Sequence, residues 1–174
     1  MSPIARRELL VISIGILIFL ALAFTSIRYA RSVVRDDLRK QDITNMKRAL
    51  EQYYNLHEFY VTAPSGKDEC TQSSDTSWFF GNTSPLLQEQ LMDAIPHDVR
   101  ESKGFTYSYC VTSTKNKKTT GFYLEAELES NEPEGAFFDE DELRKFDYLV
   151  LQENGRKVYR VCGGEDMQCK QPNL

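Results

Sequence analysis

The sequence is short of the residues and motifs on which most enzymes and zinc proteins depend. Its 174 residues include only two histidines and one tryptophan. It has no Cys-x-x-Cys pair of the kind that holds structural zinc, no nucleophile motif and no glycine-rich phosphate loop. His97 and Asp98 are a lone neighbouring pair in a predicted loop, and we interpret them as structural. We therefore expect neither catalysis nor a bound cofactor.

Basic residues are also outnumbered. Lysine and arginine total 21 against 26 aspartates and glutamates, which gives a net charge of −5. Removing Arg6, Arg7, Arg28 and Glu8 leaves 18 basic and 25 acidic residues, or −7 for residues 29–174. Domains that bind nucleic acid present a basic face. We expect no nucleic-acid partner.

Charge is missing altogether from the nineteen residues Leu9 to Ile27. A helix of this length covers about 28 Å, close to the hydrocarbon thickness of a bilayer. We predict a short cytoplasmic N-terminus at 1–8 and a single transmembrane helix at 9–27, with the lipid bilayer as a partner. One alternative is a cleaved signal peptide, because Ala21-Leu22-Ala23 has the small-x-small form. The other is a core helix, although so small a chain seldom surrounds a helix that is apolar on every side.

The four cysteines all lie beyond the apolar segment; they are Cys70, Cys110, Cys162 and Cys169. An even count in a small domain behind a membrane anchor indicates two disulfides formed outside the cytosol. Three pairings exist, and the short loop between Cys162 and Cys169 makes Cys162–Cys169 with Cys70–Cys110 the simplest. We expect a cell-membrane protein whose C-terminal domain is extracytoplasmic. The arginines that follow the apolar segment favour the opposite orientation by the positive-inside rule.

Proline and glycine are absent from Arg28 to Phe59, which predicts one helix from about residue 5 to 59. Its part at 28–60 is predicted to be amphipathic. The proposed apolar stripe recurs at multiples of four, at Val34, Leu38, Met46, Leu50 and Tyr54, and Ile43 and Tyr53 widen it. The proposed polar face comprises Asp37, Arg39, Gln41, Asn45, Arg48 and Gln52. We predict that the stripe packs on a globular domain; the alternative is a coiled-coil stalk.

Residues 61–174 form the predicted head domain. Pro85–Ala94 is predicted to be a short helix, and Trp78, Phe79 and Phe80 are predicted to fill the core from a polar loop. Alternating patterns predict two hairpins, one pairing 105–111 with 122–128 and one pairing 147–152 with 157–162 around an Asn-Gly turn. The fold class is therefore α+β, a long N-terminal helix packed on a small antiparallel sheet of about four strands.

Glu8–Leu17 (ELLVISIGIL) resembles the E-L-L-V-V-I-A-I-I-G-I-L of type IV pilins and type II secretion pseudopilins. Ala49–Tyr60 is similar to the end of that family's amphipathic helix, and Pro96-His97-Asp98 matches part of its P-x-D-P. The resemblance implies a membrane-anchored structural subunit of a type IV pilus or type II secretion-type assembly. Its partners would be other pilin-like subunits or the pilus or secretion machinery.

The resemblance also implies two sites. Glu8 would meet the free amino terminus of a neighbouring subunit during assembly, with pairing to Arg7 or interface water as the alternative. The acidic run Asp139–Glu142 would be a calcium site, as in loops of some pseudopilins. Four adjacent carboxylates do not point at one centre, so we favour a solvated acidic surface there.

The N-terminus departs from the family pattern. Pro3 and Ile4 stand where the prepilin peptidase site has glycine and phenylalanine, and Arg6 and Arg7 replace apolar or small residues. These departures indicate a divergent protein without a recognisable peptidase site. Retention in the membrane and assembly into a fibre both stay open as alternatives. The alternative function is a single-pass anchored extracytoplasmic binding domain that does not polymerise.

Overall fold

The computed structural model describes residues 3–65, 69–75, 78–115, 118–130, 148–153 and 156–164. It shows an α+β fold in which a long helix packs on an antiparallel sheet, which confirms the predicted class. In chain order the elements are α1 Pro3–His57, β1 Cys70–Gln72, α2 Pro85–Gln88, a 3₁₀ turn Glu101–Lys103, β2 Tyr107–Lys115, β3 Lys118–Leu128, β4 Tyr148–Glu153 and β5 Arg156–Gly164.

The helix α1 is uninterrupted over 55 residues, and its part beyond Arg28 is continuous as the absence of proline and glycine from that part predicts. It ends at His57, so the predicted continuation to residue 60 is wrong. Glu58 takes the left-handed conformation (φ 64°), and its N–H still donates to the Tyr54 carbonyl at 2.7 Å. Tyr60 then joins the sheet, where its N–H donates to the Thr119 carbonyl at 2.9 Å.

The sheet has five strands in the order β1-β2-β3-β5-β4, with antiparallel neighbours throughout. Both predicted hairpins are confirmed as β2–β3 and β4–β5. The extra strand β1 lies where we expected a polar loop. Three residues are too few for an alternating pattern to show in the sequence.

The core lies between α1 and one face of the sheet. Leu50 and Met46 of α1 are fully buried, as predicted, and so are Phe122 and Leu124 of β3. The aromatic trio also fills the core as predicted: Phe79 and Phe80 are buried, and Trp78 packs against them. The Phe79 ring stacks on that of Tyr109 with centroids 4.0 Å apart.

The predicted apolar stripe is wrong in the first part of the amphipathic segment. Val34 and Leu38 are 59% and 50% exposed, whereas Arg39, assigned to the polar face, is 1% exposed. Four residues turn a helix by about 400°, so a strict spacing of four drifts about 40° per step and places Val34 about 160° from Leu50. The buried stripe follows alternating steps of three and four, through Asp36, Arg39, Ile43, Met46, Leu50 and Tyr53. Arg48 and Gln52 are exposed as predicted.

The predicted helix at 85–94 is shorter than expected and ends at Gln88. Gln90 adopts a positive φ of 56°, which the α-helix does not accommodate. Its apolar residues still serve the core, because Leu86 is fully buried and Leu91 and Met92 pack against the core cluster.

Packing of α1 on the sheet predicts that two leucines of this helix differ in their contribution to stability. Leu50→Ala removes a fully buried side chain and should lower the free energy of unfolding by about 2–5 kcal/mol. Leu38→Ala, the matched control on the exposed face, should change it by less than about 0.5 kcal/mol, as should Arg48→Ala. The measurement is urea unfolding of a chain of residues 28–174. Equal losses for the two leucines would contradict the packing described above.

Candidate functional site: the apolar helix and the buried ionic cluster

The N-terminal part of α1 presents apolar side chains on all sides. In the part of the chain that the structure describes, one helix is long and apolar enough to cross a membrane. From residue 11 to 27 its large apolar side chains are exposed, including Phe19 at 71% and Phe24 at 56%. Thr25 and Ser26 return their hydroxyls to the Leu22 carbonyl, both at 2.9 Å, which satisfies these hydroxyls within the helix. This segment needs lipid or another apolar surface around it.

Glu8 lies within α1, but its side chain is outside what the structure describes. Its assembly role therefore stays a prediction. The acidic run at 139–142 likewise lies outside the described residues, as does Cys169.

Beyond the apolar segment, a group of ionised side chains joins α1 to the head domain. We call it the buried ionic cluster; its members are Arg35, Asp36 and Arg39 of α1, and Asp98, Arg100 and Glu129 of the head domain. Three cations face three carboxylates. Sequence reasoning missed this group, since it placed Arg39 in solvent and gave Asp98 no partner.

Arg39 is the centre of the cluster. Its Nε and Nη2 donate to the two Asp98 oxygens at 2.5 and 3.2 Å, and Nη2 also donates to Glu129 Oε1 at 2.6 Å. Its Nη1 donates to Asp36 Oδ1 at 2.7 Å. The guanidinium plane lies over the Phe105 ring at 4.5 Å, a cation–π contact. The planar guanidinium thus binds three carboxylates from three places in the chain.

Glu129 and Asp36 extend these bonds to the end of β3. Glu129 accepts from Arg35 at 2.9 and 2.6 Å and is also bound by Arg100. The N–H groups of Glu129 and Ser130 donate to Asp36 at 2.9 and 2.7 Å. The chain leaving β3 is therefore tied to α1 through its backbone as well as its side chains.

Local structure explains how each member reaches the centre. Asp36 and Arg39 are three residues apart and share the buried face of α1. Asp98 follows Pro96 in a turn whose conformation is held by the Arg100 N–H, which donates to Asp98 Oδ1 at 2.6 Å. Glu129 immediately follows Leu128, the last residue of β3.

Burial makes the pairing obligatory. The side chains of Arg39, Asp36, Asp98 and Glu129 are 2%, 3%, 3% and 6% exposed. Burial alone would lower the pKa of Arg39, but hydrogen bonds to Asp98 and Glu129 raise it above its usual value. Burial would likewise raise the pKa of Glu129, yet its bonds from Arg35 and Arg39 lower it to about 2. Both shifts favour the ionised forms of Arg39 and Glu129, and removing one member of the cluster leaves a buried charge without its partner.

A second polar group combines a serine, a glutamate and a histidine. Ser73 Oγ donates to Glu101 Oε1 at 2.5 Å, and His97 Nδ1 lies 3.4 Å from the same oxygen. Nucleophile activation requires the imidazole to accept the serine proton. Here the carboxylate occupies that position, and Ser73 Oγ also accepts a bond from the Tyr107 N–H at 3.1 Å. The arrangement suits a structural turn.

The predicted disulfide Cys70–Cys110 is present and links β1 to β2 at residues directly opposite in register. Cys162 is also disulfide-bonded, while its predicted partner Cys169 lies outside the described residues. No cysteine of the described ranges is free, and within those ranges no group of three or more histidine, cysteine, aspartate or glutamate side chains is placed to hold a metal ion.

Comparison with known proteins finds no match among family models, curated proteins or solved structures. The functional interpretation therefore depends on the architecture of α1, the buried ionic cluster and the sequence pattern.

The lowered pKa of Glu129 predicts a specific loss of stability in acid. A carboxylate with a lowered pKa stabilises the folded state above its unfolded-state pKa, here 4.5, and that stabilisation is lost as the pH falls towards 2. Between pH 5 and pH 2, residues 28–174 should lose on the order of 2–3 kcal/mol more than their Glu129→Gln variant. Urea unfolding at a series of pH values measures this difference.

Glu127→Gln is the matched control, because Glu127 pairs with an arginine that is 65% exposed. It should leave the acid dependence nearly unchanged. Identical pH profiles for the native chain and Glu129→Gln would contradict an ionised Glu129 in the cluster.

The disulfide Cys70–Cys110 predicts a loss of stability when it is removed. The bond closes a loop with a sequence separation of 40. Cys70→Ala with Cys110→Ala should lower the free energy of unfolding by about 2–4 kcal/mol, mainly because the unfolded chain gains conformational freedom. Peptide mapping without reductant checks the pairing itself, and a peptide joining Cys70 to Cys162 would contradict it.

Proposed function

We propose that this chain is a pilin-like, single-pass membrane-anchored structural subunit of a type IV pilus or type II secretion-type assembly. The observation that carries the proposal is the division of α1. One 55-residue helix is apolar and exposed from residue 11 to 27, and it contributes Ile43, Met46 and Leu50 to the core of the head domain. The likeness of residues 8–17 to the pilin N-terminus gives the apolar half a role in packing between subunits as well as in anchoring.

Rigid coupling between helix and head supports a structural role. No proline or glycine lies between the apolar segment and the buried ionic cluster, and the cluster begins at Arg35. Identical subunits assemble regularly only when each head is held in one orientation to its helix. Buried ion pairs with bonds to three carboxylates supply that orientation.

The face of α1 that the described head leaves exposed supports packing against a further helix. Val34 and Leu38 are 59% and 50% exposed beyond the apolar segment. Gln41, Asn45, Arg48 and Gln52 continue this face along the helix, and all four are exposed. Val34 and Leu38 lie about one turn apart, and a helix from a second subunit would cover both.

We further propose that the N-terminus is cytoplasmic and the head domain extracytoplasmic. The disulfide Cys70–Cys110 supports this orientation, since disulfides persist in oxidising compartments. The disulfide-bonded state of Cys162 supports it as well.

Photo-crosslinking in membranes tests the proposed self-assembly. A photoreactive side chain replacing Leu38 should give bands at multiples of the 20.1 kDa chain. The same replacement at Glu51, which is also exposed on α1 but lies about 140° around the helix from Leu38, is the control and should give several-fold less product. Mechanical shearing of the cells should release the same crosslinked species in filaments.

Two results would overturn the proposal. Monomer alone at both positions, with nothing released by shearing, would favour an anchored binding domain that does not polymerise. Adducts of Leu38 with one unrelated protein, and none with the chain itself, would favour that alternative as well.

A further inference from the structure

Two arginines follow the apolar segment at the depth of lipid headgroups. Along the helix axis Arg28 lies about 1.5 Å and Arg31 about 6 Å beyond Ile27. The polar headgroup layer on each side of a bilayer is about 5–8 Å thick. In a helix that crosses a membrane, both arginines therefore lie within this layer. Arg35, at about 12 Å, lies beyond it.

The arginines that follow the apolar segment form two pairs with different partners. Arg35 and Arg39 are bound by carboxylates of the head domain. Arg28 and Arg31 are exposed, and within the described ranges no carboxylate is seen to pair with either. The Arg28 guanidinium lies over the Phe24 ring at 4.3 Å, which holds this charge back towards the apolar segment and away from the head.

We propose that Arg28 and Arg31 bind the phosphates of anionic phospholipids in the leaflet beside the head domain. The two residues are three apart and lie on one face of α1, so one or two neighbouring phosphates can contact both. Guanidinium groups bind phosphate through paired N–H donors. Residues 29–174 carry a net charge of −7, so an anionic membrane surface repels this part of the chain as a whole. Binding of anionic phosphates by the two arginines would offset that repulsion next to the membrane.

This inference rests on the proposed insertion of α1 into a membrane. It depends neither on polymerisation nor on which side of the membrane the head domain occupies, since it concerns the leaflet that adjoins residue 27 in either orientation.

Lipid binding to the full chain tests the inference. The chain is purified in a neutral detergent and titrated with phosphatidylglycerol or with phosphatidylcholine of the same acyl chains, and native mass spectrometry counts the bound lipids. Phosphatidylglycerol should bind roughly thirty-fold more tightly. Arg28→Gln with Arg31→Gln should reduce this preference to about that of phosphatidylcholine.

Arg48→Gln with Lys103→Gln removes the same charge from two exposed positions further from the apolar segment and is the matched control. It should keep the preference for phosphatidylglycerol. An equal loss in the control would overturn the inference, because net charge rather than position would then explain the binding. Displacement of the lipid by millimolar glycerol phosphate would overturn the assignment to a lipid.

Flotation with phosphatidylcholine vesicles, followed by alkaline extraction, distinguishes a failure of the lipid preference from a failure of membrane insertion. A native chain that remains with the vesicles but shows no preference for phosphatidylglycerol overturns only this inference. A native chain that does not enter the vesicles overturns both the membrane anchor of the proposed function and the inference built on it.

Discussion

The burial of the Arg39 guanidinium is the constraint on which the rest of the structure depends. A cation that is 1% exposed is costly unless its donors are satisfied, and carboxylates do this best. The three carboxylates come from α1, from the turn after Pro96 and from the end of β3. Their convergence fixes where the head domain sits along the helix and how it is rotated about it.

The apolar core supplies buried apolar surface between α1 and the sheet, and the buried ionic cluster fixes the orientation of the head domain on α1. Apolar packing of Leu50 and Met46 on the sheet tolerates small shifts along α1, because dispersion and hydrophobic burial are not directional. The bonds from Arg39 do not tolerate them, since a shift of one ångström would break charge-assisted contacts of 2.5 to 2.7 Å. In the proposed anchored subunit, this directional contact would fix the position of the head domain relative to the apolar segment of α1.

The features that follow a regular period could be predicted from the sequence. The continuity of α1 and the two hairpins belong to this group. The Cys70–Cys110 pair is predicted differently, from the short spacing of Cys162 and Cys169. The buried face of α1 before Ile43 could not be predicted from a spacing of four, because that spacing drifts around the helix and places Val34 opposite Leu50. The observed buried stripe, with steps of three and four, includes Asp36 and Arg39. A search for apolar residues alone therefore does not detect its first part. Asp98 and Glu129 lie far from Arg39 in sequence, so no local pattern connects them.

The central claim is that Arg39 holds the head domain on α1 through its buried carboxylates. A double-mutant cycle of Arg39→Met and Asp98→Ala in residues 28–174, followed by urea unfolding, tests it most directly. We predict that each single variant loses about 3–5 kcal/mol and that the double variant loses at least about 2 kcal/mol less than the sum. Single losses below about 1 kcal/mol that add independently, as they do for exposed ion pairs, would contradict the account.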